Sequence, residues 1–302
     1  MNKKLWEPSK TLKLNSNLFK FEKFISNRFK KKFNGNYEKI HNWTIKNPQS
    51  FWNCVWDYSK VKGNIGKNNT KKLSKFYKNT FLNNSKLNFT ENLLSKNNDD
   101  KAITFISENG FREIKNWKEL NINVKKVSTF LRNLDIKSKD RVVAYMPNIS
   151  ETVEAFLGTA AIGSIWSSCS PDFGINGVVE RFSQIKPKVL FVTDEYFYNG
   201  KIINILERIP EIIKKIPTIK HVVISNYPGQ FKIKKLPKYK GITTHNWKNI
   251  IKNKCSELVF NKFDFEHELA ILYSSGTTGK PKCICHKTGG VLLQHLKEHQ
   301  LH

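Results

Sequence analysis

The sequence predicts an α/β protein: mainly parallel sheets flanked by helices, behind a small helical N-terminal cap rich in aromatic residues. Three observations carry this. From about residue 101, short apolar runs of strand length alternate with stretches of helical period. That order builds a parallel sheet covered on both faces. Runs such as Val189–Thr193 and Leu269–Tyr273 are apolar without alternation, as strands buried on both faces are. Upstream, Trp43, Phe51, Trp52 and Trp56 crowd around Asn47-Pro48. Rings at that density read as core anchors rather than as platforms for stacked bases.

Residues 1 to about 32 are basic and space Leu14, Leu18, Phe21, Phe24 and Ile25 as an amphipathic helix does. Such a helix packs on its own protein or lies on a membrane surface. Residues 62–100 are rich in Asn, Lys and Ser, with loops at Gly63-Asn64 and Asn97–Asp100. The division expected is a cap region over 1–100, with its core at about 37–95, and a second region over 101–302.

Within 101–302, Ala102–Ile106 reads as a strand and Asn109-Gly110 as a hairpin turn. Leu120, Val124, Val127, Leu131 and Leu134 repeat with helical spacing. Arg141–Met146 is a strand ending at Pro147, and Glu151–Ile162 an alanine-rich helix stopped at Gly163. Ser164–Ser168, Val189–Thr193 and His221–Ser225 are further strands, with helical stretches between them that include Ile202–Ile209.

The formal net charge of +27 raises nucleic acid or an anionic membrane as partners. Lysine far exceeds arginine, however, and is scattered through a chain rich in Asn and Ile, with clusters as short as Lys30–Lys32. No nucleic-acid recognition module is visible, and solvated surface lysine accounts for the balance. No apolar stretch is long enough to span a bilayer, and the first residues lack the apolar core of a signal peptide. A cytoplasmic protein is the expectation. Five cysteines at irregular spacing argue against a disulfide framework. Cys283-x-Cys285-His286 and the face His295, His299, His302 are candidates for metal binding, but neither supplies the second ligand pair of a zinc finger.

The most informative segment is Tyr273-Ser-Ser-Gly-Thr-Thr-Gly-Lys-Pro-Lys282. It follows the apolar run Leu269–Tyr273 and so leaves a strand end, where α/β sheets bind ligands. Its hydroxyls donate to phosphate oxygens, its glycines let backbone N–H groups turn inward, and Lys280 and Lys282 add charge. The spacing is not the common nucleoside-triphosphate loop G-x-x-x-x-G-K-[ST]. Gly276 and Gly279 are too close, and Pro281 stops a helix from running through Lys280. The plain alternative is a flexible Ser/Gly surface turn.

The segment resembles the signature loop of the adenylate-forming enzymes, [ST]-[ST]-G-[ST]-T-G-x-P-K, matched at every position from Ser274 to Lys282. The flanks resemble its acetyl-CoA synthetase branch, at His286–Gly290, and within that branch the acetoacetyl-CoA synthetases. The latter likeness runs through Leu5–Ser9, Phe51–Tyr58, Tyr145–Asn148, Gly163–Gly174, Arg181–Lys188, Tyr198–Lys201 and Leu292–His299. It implies the N-terminal portion of the adenylate-forming fold, ending just after the phosphate loop, because such enzymes are longer and carry their acyl pocket and mobile C-terminal domain beyond the position of His302.

The resemblance implies an acid–thiol ligase using ATP, CoA and Mg²⁺. Acetoacetate is its expected acid, with acetate or propionate as alternatives. The alternative is a catalytically incompetent truncated fragment of such an enzyme, in need of a missing C-terminal half. Ser274, Ser275, Gly276, Thr277, Thr278 and Gly279 would wrap the ATP phosphates. Lys282 would touch phosphate or anchor the loop through a carboxylate, and Lys280 would face solvent. Tyr198, Gly200 and Lys201 fall where that branch binds CoA phosphates through arginine. Lys201 offers only a point charge in place of a bidentate fork.

Overall fold

A computed structural model describes residues 5–67, 80–229, 236–255, 257, 259–274 and 279–302. In chain order the elements are α1 (Lys10–Asn15), α2 (Asn17–Phe29), α3 (Tyr37–Lys46), α4 (Pro48–Tyr58), β1 (Gly63–Asn64), β2 (Lys86–Leu87) and α5 (Phe89–Leu93). Next come β3 (Lys101–Ile106), β4 (Arg112–Asn116), α6 (Trp117–Asn133), β5 (Arg141–Tyr145), α7 (Ser150–Ala161), β6 (Ile165–Cys169), α8 (Ile175–Ile185) and β7 (Val189–Thr193). The chain continues through β8 (Glu195–Tyr198), β9 (Lys201–Asn204), α9 (Ile209–Lys215), β10 (His221–Ser225), β11 (Thr243–Asn246) and α10 (Trp247–Lys252). It closes with β12 (Phe263–Asp264), β13 (Glu268–Ser274), β14 (Lys282–Lys287) and α11 (Thr288–Leu301).

Two compact units result, Met1–Leu87 with Asp264–Glu266 and Thr288–His302, and Asn88–Phe263 with His267–Lys287. In the first, the expected N-terminal helix is two helices. Ser16 is extended, and its Oγ accepts from the Phe19 N–H at 3.2 Å, so it starts α2 instead of continuing α1. The apolar face of α2 is used internally: Phe21 and Ile25 are fully buried, and the Phe21 ring meets Phe51 and Tyr58 edge-on. Trp43 packs against Phe29 and Phe33. These rings are core anchors.

The second unit is built on a seven-stranded sheet of order β11-β10-β7-β5-β6-β13-β14. All neighbours are parallel except β13 and β14. Its centre is apolar throughout: every residue of β7 is buried, as are Val142–Tyr145 of β5. α6 begins with Asn116 and Glu119 in a reciprocal capping box, and its buried stripe Leu120, Val124, Val127, Leu131 is the one expected from spacing. α7 lies close against α6 at Gly158, where a Cβ would stand 2.5 Å from a Val127 methyl. One element differs from expectation. Ile202–Ile209 is not a helix but the strand β9 followed by a 3₁₀ turn, Leu206–Arg208. Asn199 and Gly200, both at positive φ, fold β8 back onto β9, and that turn chemistry overrides the helical spacing of the isoleucines.

Candidate active site

The sheet sets the site. β5, β6, β7, β10 and β13 run the same way, so their carboxyl ends share one edge. There chain direction exposes strand-end groups and loops. β13 ends on this edge at Ser274, and β14 starts there at Lys282, the two residues standing opposite each other in the antiparallel register. The antiparallel register makes β13 and β14 a hairpin. It returns Lys282 to the point where Ser274 left, placing a hydroxyl and an ammonium at one mouth. Ser275, Gly276, Thr277 and Thr278 lie outside the described residues. Gly279 has φ +121°, a conformation suited to glycine, and Lys280 is exposed while Pro281 is buried. Among the described residues the Lys282 ammonium has no carboxylate partner and is exposed.

The far end of this hairpin is closed by an ion pair, Lys287 Nζ to Glu268 Oε1 at 2.9 Å. Burial works to raise the Glu268 pKa, but the Lys287 hydrogen bond and the nearby positive charge outweigh it and hold it low. The loop end is gripped from α8. Gln184 Nε2 donates to the Pro281 carbonyl at 3.0 Å, and its Oε1 accepts from Cys283 Sγ at 3.7 Å. One turn earlier, the Arg181 guanidinium lies 4.2 Å from the Phe173 ring centre and 5.9 Å from that of Tyr273. Ser167 Oγ, on the adjacent β6, donates to the Ile271 carbonyl at 2.7 Å. Burial pushes the Cys169 thiol up to about 12, opposed by Arg181, so it stays a thiol.

The neighbouring loop, Ser170–Gly174 after β6, is fixed just as tightly. Tyr145 Oη donates to the carbonyls of Phe173 and Pro171 at 2.6 and 3.0 Å. Arg208 Nη1 donates to Tyr145 Oη at 2.6 Å and to the Pro171 carbonyl at 2.9 Å. Tyr196 Oη donates to Asp172 Oδ1 at 3.0 Å. Burial, and then that bond, push the Tyr196 phenol up to about 12. After β7, buried Asp194 accepts from the backbone N–H groups of Glu195 and Tyr227 and from Asn226 Nδ2. Arg181, Gln184, Arg208 and Tyr145 had no assigned role in the sequence. Tyr145, Arg181 and Gln184 lie in stretches that carried the family resemblance, whereas Arg208 lay in a run read as helix.

Tyr198, Gly200 and Lys201 leave the same edge from β7, with β5 and β6 between them and the loop of β13. They form the β8–β9 turn, with Tyr198 opposite Lys201 and both exposed. An Asn-Gly turn is sufficient reason for Gly200, and the Lys201 ammonium stands in solvent. The other candidates sort by element. Cys283 and Cys285 are exposed and separated by one residue on a strand, so they share a face of β14 that His286 does not. His295, His299 and His302 face solvent. Among the described residues, no group of three His, Cys, Asp or Glu side chains stands close enough to hold a metal ion.

Ser274 and Lys282 thus stand together at the carboxyl edge of the sheet. Comparison with known proteins extends this reading. The AMP-binding enzyme family matches residues 90–300, and the chain belongs to that family. It is similar to an acetoacetyl-coenzyme A synthetase of Rhizobium meliloti (strain 1021), 39% identical over 300 residues that cover 99% of this chain and 45% of the relative. An acetoacetyl-CoA synthetase of Gallus gallus is 37% identical over 306 residues, with the same coverage. The solved structure of acetoacetyl-CoA synthetase from Streptomyces lividans matches with a TM-score of 0.88 at 29% identity, covering 99% of this chain and 45% of that one. The chain spans about half the length of the curated relatives it matches. Among the described residues, no helix is long and apolar enough to cross a membrane.

Proposed function

We propose that this chain carries the phosphate-binding part of an acid–thiol ligase for acetoacetate. The acid's carboxylate attacks the α-phosphorus of ATP, giving an acyl-adenylate and releasing pyrophosphate. The CoA thiol then attacks the acyl carbon and releases AMP, leaving acetoacetyl-CoA. The observation that carries this is the hairpin mouth, where Ser274 and Lys282 meet at the carboxyl edge of the sheet around a Ser/Gly/Thr-rich loop. Negative charge grows on pyrophosphate as it leaves, and hydroxyl, N–H and ammonium donors already in place stabilise it without reorganisation.

In this reading Ser274 to Gly279 wrap the β- and γ-phosphates, and Lys282, free of a carboxylate partner among the described residues, contacts them directly. Mg²⁺ reaches such sites largely through the substrate's own phosphates, which suits a loop with no acidic cluster. Tyr198, Gly200 and Lys201 would meet the CoA phosphates at the rim of the same edge. The choice of acetoacetate rests on the names of the relatives, and a cytoplasmic setting belongs to the same reading.

The test is ATP–pyrophosphate exchange by the 302-residue chain with acetoacetate, and with acetate for comparison. Exchange with acetoacetate that disappears in a Thr277→Ala, Lys282→Ala double variant supports the proposal. Faster exchange with acetate moves the substrate assignment. Exchange that survives the double variant, or no binding of ATP by a folded sample, overturns the phosphate-loop assignment.

A further inference from the structure

On β10 and β11, away from the loop, His221 and His245 point their rings at one another. His221 Nδ1 and His245 Nε2 are 3.3 Å apart. The register pairs His245 with Val223, two residues along from His221, so both imidazoles project from one face of the sheet. Both are half-buried, and the Phe130 ring of α6 stands edge-on to His245 with centres 5.0 Å apart. Nothing in the reaction proposed above uses them.

A separation of 3.3 Å lets one ring N–H donate to the other ring's bare nitrogen. It is, however, the distance that two imidazole nitrogens span when each sits about 2.05 Å from one tetrahedral ion, which places them about 3.3 Å apart. We propose that His221 and His245 form a two-imidazole site for a borderline divalent transition metal of the zinc type, stapling β10 to β11. Imidazole suits such ions. The described residues bring no third side-chain ligand, so water completes the coordination. Burial lowers the pKa of both histidines, and the His221 ring lowers that of His245 further. The neutral ligand form is therefore the resting one. The Phe130 ring, edge-on to His245, is uncharged.

The test uses Zn²⁺ alone, titrated calorimetrically into the 302-residue chain. The exposed thiols Cys283 and Cys285 are first replaced by serine, because they would bind zinc themselves. The expected result is one equivalent bound, weakened at least about tenfold by either His221→Ala or His245→Ala. His245→Phe keeps a ring against Phe130 but removes the ligand. It should stay folded by circular dichroism and lose the same affinity. Saturable zinc binding unchanged in these variants, or no binding by the folded parent, would show a hydrogen-bonded pair only and overturn the proposal.

Discussion

β7 and β13 read alike in sequence, both apolar and both within one sheet, yet the structure gives them different tasks. β7 lies inside, between β5 and β10, with all five residues buried. β13 has β6 on one side, but its other neighbour is β14, whose residues Lys282–Cys285 are exposed. Leu272 and its cross-strand partner Ile284 are 46% and 45% exposed. The inner strand holds the fold together. The outer hairpin, with its exposed edge, bears the loop proposed to bind phosphate. The buried centre and the proposed phosphate loop share one sheet, separated by strand position.

The sharpest way to break this comparison is to truncate one side chain in each strand. Phe191 of β7 is fully buried and touches the rings of Trp166 and Trp247. Phe191→Ala removes that volume from a site that cannot collapse, and should cost about 3–5 kcal/mol. Leu272→Ala should cost under about 1 kcal/mol, as exposed substitutions do. Urea unfolding of both variants measures the contrast, and equal losses would mean that the outer hairpin is as integral as the centre.

The contrast also explains what could be read from the sequence. The α/β class, the helical stripe of α6, the strands β5, β7 and β10 and the strand-plus-loop at Leu269–Lys282 follow from local pattern. The half exposure of β13 does not, because burial depends on which strand comes next in space. Asn88 shows the same limit. It falls in a stretch rich in Asn, Lys and Ser, yet it is fully buried, its Nδ2 donating to the carbonyls of Ala161 and Asn261. Arg208 lies in a run read as helix, and only the fold brings it to Tyr145. Ser274 and Lys282 were legible as a motif, whereas Gln184, which grips their loop, depends on a contact 97 residues away.

A smaller effect separates buried charge from edge charge. Lys115 of β4 meets Glu154 at 2.9 Å and Glu151 and Glu113 each at 3.8 Å, in a cluster shared with Asn123 of α6 and Ser150 of α7. Three carboxylates face one cation. Burial, partly offset by Lys115, pushes the Glu151 carboxyl up to about 7. A carboxyl raised on folding stabilises the fold fully below its unfolded pKa and loses that contribution as pH rises through the folded value. Stability should therefore fall by roughly 1–3 kcal/mol between pH 5 and 8 through this cluster. Glu151→Gln should flatten the fall, as measured by urea midpoints across that range. An unchanged slope would remove Glu151 as its cause. Glu268, held low on the outer hairpin, acts in the opposite sense and only under acid conditions.

The finest distinction lies at the hairpin itself, between residues proposed to touch phosphate and residues that hold the loop. Gln184 belongs to the second kind, since its amide bonds the Pro281 carbonyl and the Cys283 thiol from an exposed position on α8. Gln184→Ala removes one side-chain hydrogen bond to the loop and leaves every proposed phosphate donor intact. The expected loss of triphosphate affinity is about 1 kcal/mol, or about fivefold, with the urea midpoint nearly unchanged. Gln184→Glu keeps the acceptor for Cys283 but loses the donor to Pro281, so it should match the alanine variant rather than the parent. If both variants bind triphosphate as the parent does, the loop holds its shape without α8, and the grip seen at Pro281 is packing alone.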